Sequence, residues 1–522
     1  MNRGEMLARA KARQKPWDIV VVGGGATGMG VAVDAATRGF SVLLCEREDF
    51  GKATSSRSTK LVHGGVRYLE QGNISLVMEA LKERGLLRQN APHLVHDLAF
   101  VVPNYIWWET PFYGIGLKVY DLLAGRYGFG KSRVLSREET LERLPTIQQE
   151  GLQRGVIYYD GQFDDARLLI HLAATAADHG ATLLNYAAVT EITKDAEGYV
   201  NGVIAVDGES GERFVAQAKV VVNATGIFTD EVRRLSEPHA EPMIEPSQGI
   251  HLVFQRSFLR GDTAIMVPHT SDGRVLFAIP WHGHTVVGTT DTPIDEPSYD
   301  PLPLEQEIDF VLDTARLYLS RPPTRDDVLS VYVGIRPLVK AAGSDAGKTS
   351  ALSRDHTIHV DNSGLLTITG GKWTTYRHMA EDCVNHAITL GRLADMACVT
   401  QHLRIHGYQE NIDDLGSLWV YGADAEKVRA LATADPELAS PLHPALPYIG
   451  AEVVWGVREE MARTVDDVLS RRTRALFLNA KAALAMAAPT ARIMAKELGQ
   501  SDAWIAEQLE SFRALADTYM VR

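Results

Sequence analysis

Cysteine is scarce in this chain, with three residues among 522. Cys45, Cys383 and Cys398 are odd in number, and none of them stands in a Cys-x-x-Cys pair. This usage is typical of a reducing compartment, and it argues against both a disulfide framework and a zinc site. We therefore predict a cytoplasmic protein without a bound metal.

Long apolar runs are missing as well. No stretch reaches the roughly 18 apolar residues of a membrane-spanning helix, and no apolar segment typical of a signal peptide precedes the first predicted strand. Residues 1–16 form a predicted basic tail, whose charged residues are Arg3, Glu5, Arg9, Lys11, Arg13 and Lys15. Such a tail is either solvated and flexible or in contact with an anionic membrane surface.

Net positive charge is also lacking, since the formal net charge is −13. A chain of that sign does not attract phosphate backbones, so we predict no nucleic-acid partner. An anionic substrate would need a local basic pocket. An apolar content of 45% and a charged content of 23% are ordinary for a soluble globular protein, and 522 residues predict two or three domains.

Glycine, in contrast, is concentrated in a pattern near the N-terminus. Gly23, Gly25 and Gly28 lie between a β-branched strand and a small-residue helix, and the next predicted strand ends at Glu46. This arrangement lets backbone N–H groups approach a pyrophosphate while the acid binds a ribose hydroxyl. A glycine triad alone also occurs in tight turns. With both strands and the acid present, the pattern favours a dinucleotide site; the acid argues against NADP and leaves FAD and NAD open.

Later segments indicate how the domains are divided. The strand in 219–223 runs into Ala224-Thr-Gly226, which implies that the dinucleotide-binding sheet resumes after an excursion. Residues 240–340 alternate as antiparallel strands, and the chain beyond residue 400 is helical in pattern. We therefore predict three parts: a basic tail over 1–16, a catalytic region over 17–400 and a helical domain over 401–522. Within the catalytic region, the dinucleotide-binding parts are predicted at 17–75, 150–235 and 345–400, and the substrate-domain parts at 76–149 and 236–344.

An aromatic stretch and a set of basic residues stand apart from the framework. Residues 105–120 are rich in Trp and Tyr, which is typical of a core or pocket wall and also of a lipid or quinone contact. The basic residues that follow glycines or end strands are Arg67, Arg336, Arg354 and Lys372. Together they would clamp a phosphate or carboxylate, although any one of them alone is more typical of a surface salt bridge.

Two histidines are distinguished by their positions. His63 lies in a glycine-rich loop and His251 lies at the start of a predicted sheet strand. A neutral imidazole could accept the proton of a substrate hydroxyl. A structural, hydrogen-bonded histidine is an equally good interpretation of each.

At these residues the chain resembles the FAD-dependent, aerobic and respiratory glycerol-3-phosphate dehydrogenases, within the D-amino-acid-oxidase-like flavoproteins. The matching motifs run in order over the catalytic region: Val21-Val-Gly-Gly-Gly-Ala-Thr-Gly28, Ala53-Thr-Ser-Ser56, Lys60-Leu-Val-His-Gly-Gly-Val-Arg-Tyr-Leu-Glu70, Asn223-Ala-Thr-Gly226, Val287-Gly-Thr-Thr-Asp291, Gly334-Ile-Arg-Pro337, Ser353-Arg-Asp355 and Gly370-Gly-Lys-Trp-Thr-Thr-Tyr-Arg377. Two of these segments, His63–Glu70 and Gly370–Arg377, are specific to this family. The resemblance implies an α/β fold (α+β overall), with a Rossmann-like FAD-binding domain, an antiparallel-sheet substrate domain and a C-terminal helical domain.

The resemblance also implies FAD as the cofactor and assigns its contacts. The FAD-binding residues would be Gly23, Gly25, Gly28, Glu46, Ser55, Ser56, Lys60, Val189, Ala224, Gly226, Gly371, Lys372 and Thr374. The substrate would be bound by Arg67, Tyr68, Arg336, Arg354 and Lys372. The implied reaction is hydride transfer from C2 of sn-glycerol 3-phosphate to flavin N5, with His63, His251 or Arg336 assisting removal of the hydroxyl proton.

The electrons would pass to a quinone at the inner face of the cell membrane, where the protein would be peripheral, and a homodimer is left open. The alternatives are an α-glycerophosphate oxidase that uses O₂, an amine, amino-acid or hydroxy-acid oxidase of the same fold, and a non-catalytic flavin-binding protein. One departure concerns Ile227-Phe228, which stand where the family usually has Pro-Trp.

Overall fold

The computed structural model describes residues 1–66, 73–106, 109–268, 270, 274–340 and 355–521. Its α-helices are α1 Arg3–Ala12, α2 Ala26–Thr37, α3 Ile74–Asn90, α4 Glu109–Ala124, α5 Arg137–Arg143, α6 Asp165–Asp178, α7 Thr229–Ser236, α8 Glu305–Tyr318, α9 Tyr376–Leu390, α10 Ala425–Ala434, α11 Gly450–Glu459, α12 Ala475–Leu478, α13 Ala480–Leu498 and α14 Asp502–Asp517. Within these described ranges, no helix combines the length and the apolar character needed to cross a membrane.

The first sheet carries the predicted dinucleotide-binding strands. In the described residues it consists of β1 Trp17–Val22, β2 Val42–Cys45, β7 Thr182–Leu184, β8 Ala187–Lys194, β9 Val200–Asp207, β10 Arg213–Asn223, β17 His356–Val360 and β18 Leu366–Gly370, in the order β17-β18-β10-β1-β2-β7 with β8 and β9 extending from β10. Strand β1 pairs in parallel with β2 and β10. It is apolar on both faces because Ile19 and Val21 pack against helices while Val20 and Val22 pack on the opposite side.

The N-terminal segment differs from the flexible tail that its composition suggested. Helix α1 is capped by Asn2 and packs Met6 and Ala10 against the first sheet. The buried Arg3 guanidinium forms an ion pair with Asp207 at 2.5 Å. The solvated-tail prediction is therefore wrong for α1, because its apolar residues and one arginine are buried against the sheet.

The second sheet contains the strands that were predicted for the substrate domain. Its strands are β3 Leu61–Val62, β4 Val95–Asn104, β5 Arg133–Leu135, β6 Arg154–Phe163, β11 Ile244–Gln255, β12 Thr263–Val267, β13 Leu276–Trp281, β14 His284–Gly288, β15 Thr292–Pro293 and β16 Ser330–Val339. Strand β6 pairs antiparallel with β4 along its whole length. Strands β3 and β6 lie in the parts 17–75 and 150–235 that were predicted to bind the dinucleotide, yet both belong to the second sheet because their hydrogen bonds are made there.

The C-terminal region packs against both sheets and carries a two-stranded hairpin, β19 Pro441–His443 and β20 Leu446–Ile449. Its helices share a buried cluster with the face of the second sheet around Trp281 and Tyr332. Buried ion pairs link it to the first sheet's loops: Asp49 accepts hydrogen bonds from both Arg471 and Arg472. The mixed α/β class and the helical C-terminal region agree with the fold predicted from the sequence.

Candidate active site

The carboxyl ends of four parallel strands meet at one edge of the first sheet. Strands β1, β2, β10 and β18 are followed or closed there by Gly23, Glu46, Ala224 and Gly370. These segments line one cavity of about 1160 Å³, open space at its mouth included. Ligands of open parallel sheets bind outside the carboxyl ends of the strands, so this cavity is the candidate dinucleotide site of the chain.

The glycine turn is required by close backbone approach. Gly23 has φ +108°, and a Cβ at that position would lie 2.7 Å from the carbonyl oxygen of Ala224. A Cβ on Gly28 would lie 1.9 Å from the carbonyl oxygen of Gly23. Gly28 does not line the cavity; it lets α2 pack directly against the turn, which keeps the helix N-terminus beside the ligand.

Glu46 occupies the position of the ribose-binding acid. Its carboxylate accepts hydrogen bonds from the backbone N–H of Gly24 at 2.6 Å and of Glu48 at 2.8 Å, and it lines the cavity. Burial raises the pKa of Glu46, and the two backbone N–H groups partly oppose that rise. The carboxylate is therefore held in a fixed orientation at the cavity wall, where it can accept hydrogen bonds from ribose hydroxyls.

The hydroxyl-rich loop after β2 divides into two groups. Ser55 lines the cavity and its Oγ accepts a hydrogen bond from the N–H of Ala26 at the start of α2. Ser56 and Lys60, predicted as cofactor contacts, do not line this cavity, and they do not line the neighbouring cavity that contains Arg336. The Lys60 ammonium instead contacts Asp165 at 2.7 Å, and burial lowers its pKa to about 7. This prediction is not matched by the geometry, because the lysine is fully buried beneath the loop.

A second cavity adjoins the first at Gly370, Gly371, Lys372 and Trp373, which line both. It encloses about 1050 Å³, its open mouth included. Its wall brings together four residues predicted for catalysis and substrate binding: His63, His251, Arg336 and Lys372. Thr374, predicted as a cofactor contact, lines this second cavity and not the first. A small substrate bound there would lie beside the end of the dinucleotide cavity that Lys372 closes.

Arg336 is held rigidly in the second cavity. Its guanidinium donates to Asp291 Oδ1 at 3.1 Å, to the Thr290 carbonyl at 3.0 Å and to Thr289 Oγ1 at 3.3 Å. Side-chain exposure of 23% leaves part of the group accessible from the cavity. Arg57, Arg336 and Lys372 line this cavity and none of its described lining residues is acidic, so this wall suits an anionic substrate.

His251 is fixed between two neighbouring strands. Its ring stacks on Tyr332 with centroids 4.7 Å apart, and the absent Cβ of Gly288 leaves room for it on the other strand. Its Nε2 lies 2.9 Å from Thr59 Oγ1. Burial, and then the charges of Lys60 and Arg336, hold its pKa well below the ordinary value. The imidazole is therefore neutral near pH 7 and is a good hydrogen-bonding group but a weak proton acceptor.

The remaining predicted residues fall into two sets. Val189, Ala224 and Gly226 line the dinucleotide cavity. Arg67, Tyr68 and Arg354 lie outside the described residues, so their assignment stays a prediction from sequence.

Sequence reasoning missed Arg47 and Tyr299 among the residues that line the dinucleotide cavity, whereas Phe228, which was singled out as a departure from the family pattern, does line it. Arg47 directly follows the ribose acid, which is a usable signal. Tyr299 comes from an irregular segment between β15 and α8 that carries no recognisable pattern.

The residues present fit a bound FAD. The pyrophosphate would be bound by the glycine turn, where a Cβ would clash, and by the N-terminus of α2. The ribose would be bound by Glu46, the acid at the end of β2. Lys372 and the glycines before it close the other end, where a cation and backbone N–H groups stabilise a reduced flavin.

Comparison with known families agrees with this geometry. A family model described as FAD dependent oxidoreductase matches residues 18–377. A second, described as the C-terminal domain of alpha-glycerophosphate oxidase, matches residues 368–505. The two matches together cover both the sheets and most of the helical C-terminal region.

Similar proteins carry consistent names. The mitochondrial glycerol-3-phosphate dehydrogenase of Rattus norvegicus is 41% identical over 529 residues, covering 95% of this chain and 72% of that protein. A mitochondrial glycerol-3-phosphate dehydrogenase of Arabidopsis thaliana is 40% identical, with coverage of 98% and 87%. Among solved structures, the glycerol-3-phosphate dehydrogenase from Bacillus halodurans complexed with FAD has a TM-score of 0.80 at 30% identity, over 99% of this chain and 97% of that one.

More distant structures share the fold. L-alpha-glycerophosphate oxidase from Mycoplasma pneumoniae has a TM-score of 0.57 at 16% identity, over 74% of this chain and 97% of that one. At that identity only the arrangement of the sheets and helices is comparable.

Proposed function

Since the chain belongs to the FAD-dependent oxidoreductases, in the branch that contains the glycerol-3-phosphate dehydrogenases, we propose that it oxidises sn-glycerol 3-phosphate to dihydroxyacetone phosphate. The observation that carries this proposal is the cationic second cavity, which opens onto the dinucleotide cavity at Gly370, Gly371 and Lys372. When bound, FAD supplies a two-electron acceptor, and we propose its N5 as the atom that takes the hydride from C2 of the substrate.

Arg336 and Lys372 are proposed to hold the substrate in this cavity. The Arg336 guanidinium is fixed by Asp291 and by the carbonyl of Thr290, so it offers a charge whose position does not have to be reorganised on binding. A fixed cation near the C2 oxygen stabilises negative charge as the hydroxyl loses its proton. Arg67 and Arg354, outside the described residues, are proposed from sequence as further phosphate contacts.

The proton acceptor is proposed to be one of two cavity histidines. His251 is held neutral with a pKa well below its ordinary value, which makes it better suited to orient the hydroxyl than to retain its proton. His63 lines the same cavity, and its backbone N–H donates to Thr374 Oγ1 at 3.3 Å. Replacing each histidine with Asn separates the roles: loss of the acceptor lowers kcat and flattens the pH profile, while loss of an orienting group mainly raises KM.

We propose a quinone as the electron acceptor and a peripheral position on the inner face of the cell membrane. One face of α4 is exposed and apolar, with Phe112, Ile115, Val119 and Leu122 spaced along one stripe and exposed by 51%, 68%, 41% and 80%. Its other face, with Tyr113, Leu117 and Tyr120, is core. An amphipathic helix of this kind suits the interface of a bilayer.

The membrane part is tested with lipid vesicles. The double substitution Ile115→Ser and Leu122→Ser should reduce co-sedimentation with anionic vesicles while leaving reduction of a soluble dye acceptor unchanged. Leu317→Ser, at a residue 69% exposed on α8, is the matched control. Equal vesicle binding by the native protein, the double variant and Leu317→Ser would refute the assignment of α4.

The substrate and acceptor are tested by turnover. Oxidation of sn-glycerol 3-phosphate, but not of glycine or sarcosine, with electrons delivered to a short-chain quinone supports the proposal. Peroxide formed in step with substrate oxidation in the absence of a quinone would establish an oxidase instead. Turnover of glycine or sarcosine alone would establish an amine or amino-acid oxidase.

A further inference from the structure

Three side chains form a cluster on the wall of the dinucleotide cavity. The rings of Phe228 and Tyr299 stack with centroids 4.5 Å apart and planes 29° apart. The Cζ atom of Arg47 lies 5.3 Å from the Phe228 centroid and 4.9 Å from the Tyr299 centroid. All three residues line the cavity, together with Glu46 and Val189.

The cluster joins parts of the chain that are distant in sequence. Arg47 follows the ribose acid at the end of β2, and Phe228 ends the short 3₁₀ turn Gly226–Phe228 that follows β10. Tyr299 belongs to the segment between β15 and α8 of the second sheet. The stack therefore joins a turn of the first sheet to a segment that follows a strand of the second sheet, at the wall of the cavity.

Packing of the core does not account for this stack. Phe228 and Tyr299 are only partly buried and Arg47 is exposed, and Arg47 is 3.9 Å from its carboxylate neighbour Glu231 in a solvent-exposed pair worth little to stability. Aromatic rings held at a cavity rim by a cation, rather than turned into the core, suit contact with a flat ligand.

The position of the cluster identifies which half of the cofactor it meets. Glu46 marks the ribose of the adenosine half, and Arg47 is its neighbour in sequence. The substrate cavity meets the dinucleotide cavity at Thr54, Pro337 and Gly370–Trp373, and none of the three cluster residues lines it. The flavin must therefore lie on the side of the dinucleotide cavity that these shared residues form. The rings are thus placed at the adenosine end.

We propose that Phe228 and Tyr299, held by Arg47, form an aromatic clasp that closes over the adenosine half of bound FAD and slows its release. Phe228 provides one ring of this clasp, and Tyr299, from the segment between β15 and α8, provides the second. Tyr299 makes cofactor retention depend on the docking of the two sheets. The inference concerns FAD binding and does not depend on which substrate is oxidised.

The test compares two flavins on the apoprotein. Dissociation constants for FAD and for FMN, which lacks the adenosine, are measured by flavin fluorescence for the native protein and for Phe228→Ala and Tyr299→Ala. Stacking on a base is worth about 1–3 kcal/mol per aromatic ring, so each substitution should raise the FAD constant at least about fivefold. The FMN constant should not change.

Matched variants separate the clasp from general damage. Tyr299→Phe keeps the ring and should keep native FAD affinity, while Tyr199→Ala removes a tyrosine that is 58% exposed away from the cavity and should change neither constant. Unchanged FAD affinity in both alanine variants would overturn the proposal. An equal weakening of FAD and FMN would overturn it too, because it would indicate a structural role.

Discussion

Replacing Gly28 with alanine should weaken both the fold of the glycine turn and the retention of FAD. The added Cβ would lie 1.9 Å from the carbonyl oxygen of Gly23, whereas non-bonded heavy atoms rest at about 3.5 Å. Either α2 or the turn must therefore move by roughly 1.5 Å. The backbone fixes the positions of both the added Cβ and the carbonyl oxygen of Gly23, so no side-chain rotation relieves the contact.

The expected magnitude combines two opposed contributions. Alanine is favoured over glycine by at most about 1 kcal/mol at Gly28, which is the third residue of α2. Overpacking of this kind costs about 1–3 kcal/mol and occasionally more, and the short distance places Gly28 at the upper end. The net loss should be about 2 kcal/mol of stability. A shift of the helix N-terminus away from the pyrophosphate should also raise the FAD dissociation constant more than about tenfold.

The control is the same substitution in another helix. A Cβ on Gly116 of α4 meets no atom within 4 Å, so Gly116→Ala should leave FAD affinity unchanged and slightly raise stability. Chemical unfolding of the apoproteins and flavin-fluorescence titration measure the two effects separately. A Gly28→Ala protein as stable as Gly116→Ala, with native FAD affinity, would refute the packing argument.

Three further substitutions test other parts of the structure. Arg336→Ala removes a charge-assisted contact worth about 1.5–3 kcal/mol and should lower kcat/KM by about 10–100-fold, with Arg336→Lys intermediate; unchanged kinetics would remove Arg336 from the site. Asp49→Asn breaks a buried ion pair with Arg471 and Arg472 and should cost about 3–5 kcal/mol in urea unfolding; a loss below about 1 kcal/mol would contradict the pairing. Hydrogen bonding to Asp424 raises the pKa of His406, so the stability that protonated His406 contributes is fully present below the unfolded pKa of about 6.5 and is lost as pH rises through the folded pKa. The difference in unfolding free energy between the native protein and His406→Gln should therefore shrink above the folded pKa, and a difference that grows with pH would contradict a raised pKa.

The cavity could largely be anticipated because it depends on short-range patterns. Strands ending at Gly23, Glu46 and Ala224 are readable from apolar runs, and the carboxyl ends of parallel strands necessarily meet at one edge of a sheet. The glycines carry their own signal, since their positions exclude a Cβ. The fold class and the FAD cofactor followed from these residues and from the resemblance.

Other features depend on contacts that no local pattern encodes. Helix α1 is basic in composition, yet the burial of Arg3 against Asp207 decides its position. The orientation of the Lys60 side chain depends on its ion pair with Asp165, which lies more than a hundred residues later in the sequence. Tyr299 reaches the dinucleotide cavity from an irregular segment of the other sheet, so only the packing of the two sheets reveals it.

The central proposal is tested most directly by anaerobic titration of the FAD-loaded protein with sn-glycerol 3-phosphate, followed by the flavin absorbance. The proposed function predicts complete bleaching of the oxidised flavin band, with dihydroxyacetone phosphate formed in equal amount and no bleaching by glycerol, glycine or sarcosine. A flavin that stays oxidised in the presence of excess sn-glycerol 3-phosphate, while remaining reducible by dithionite, would contradict it.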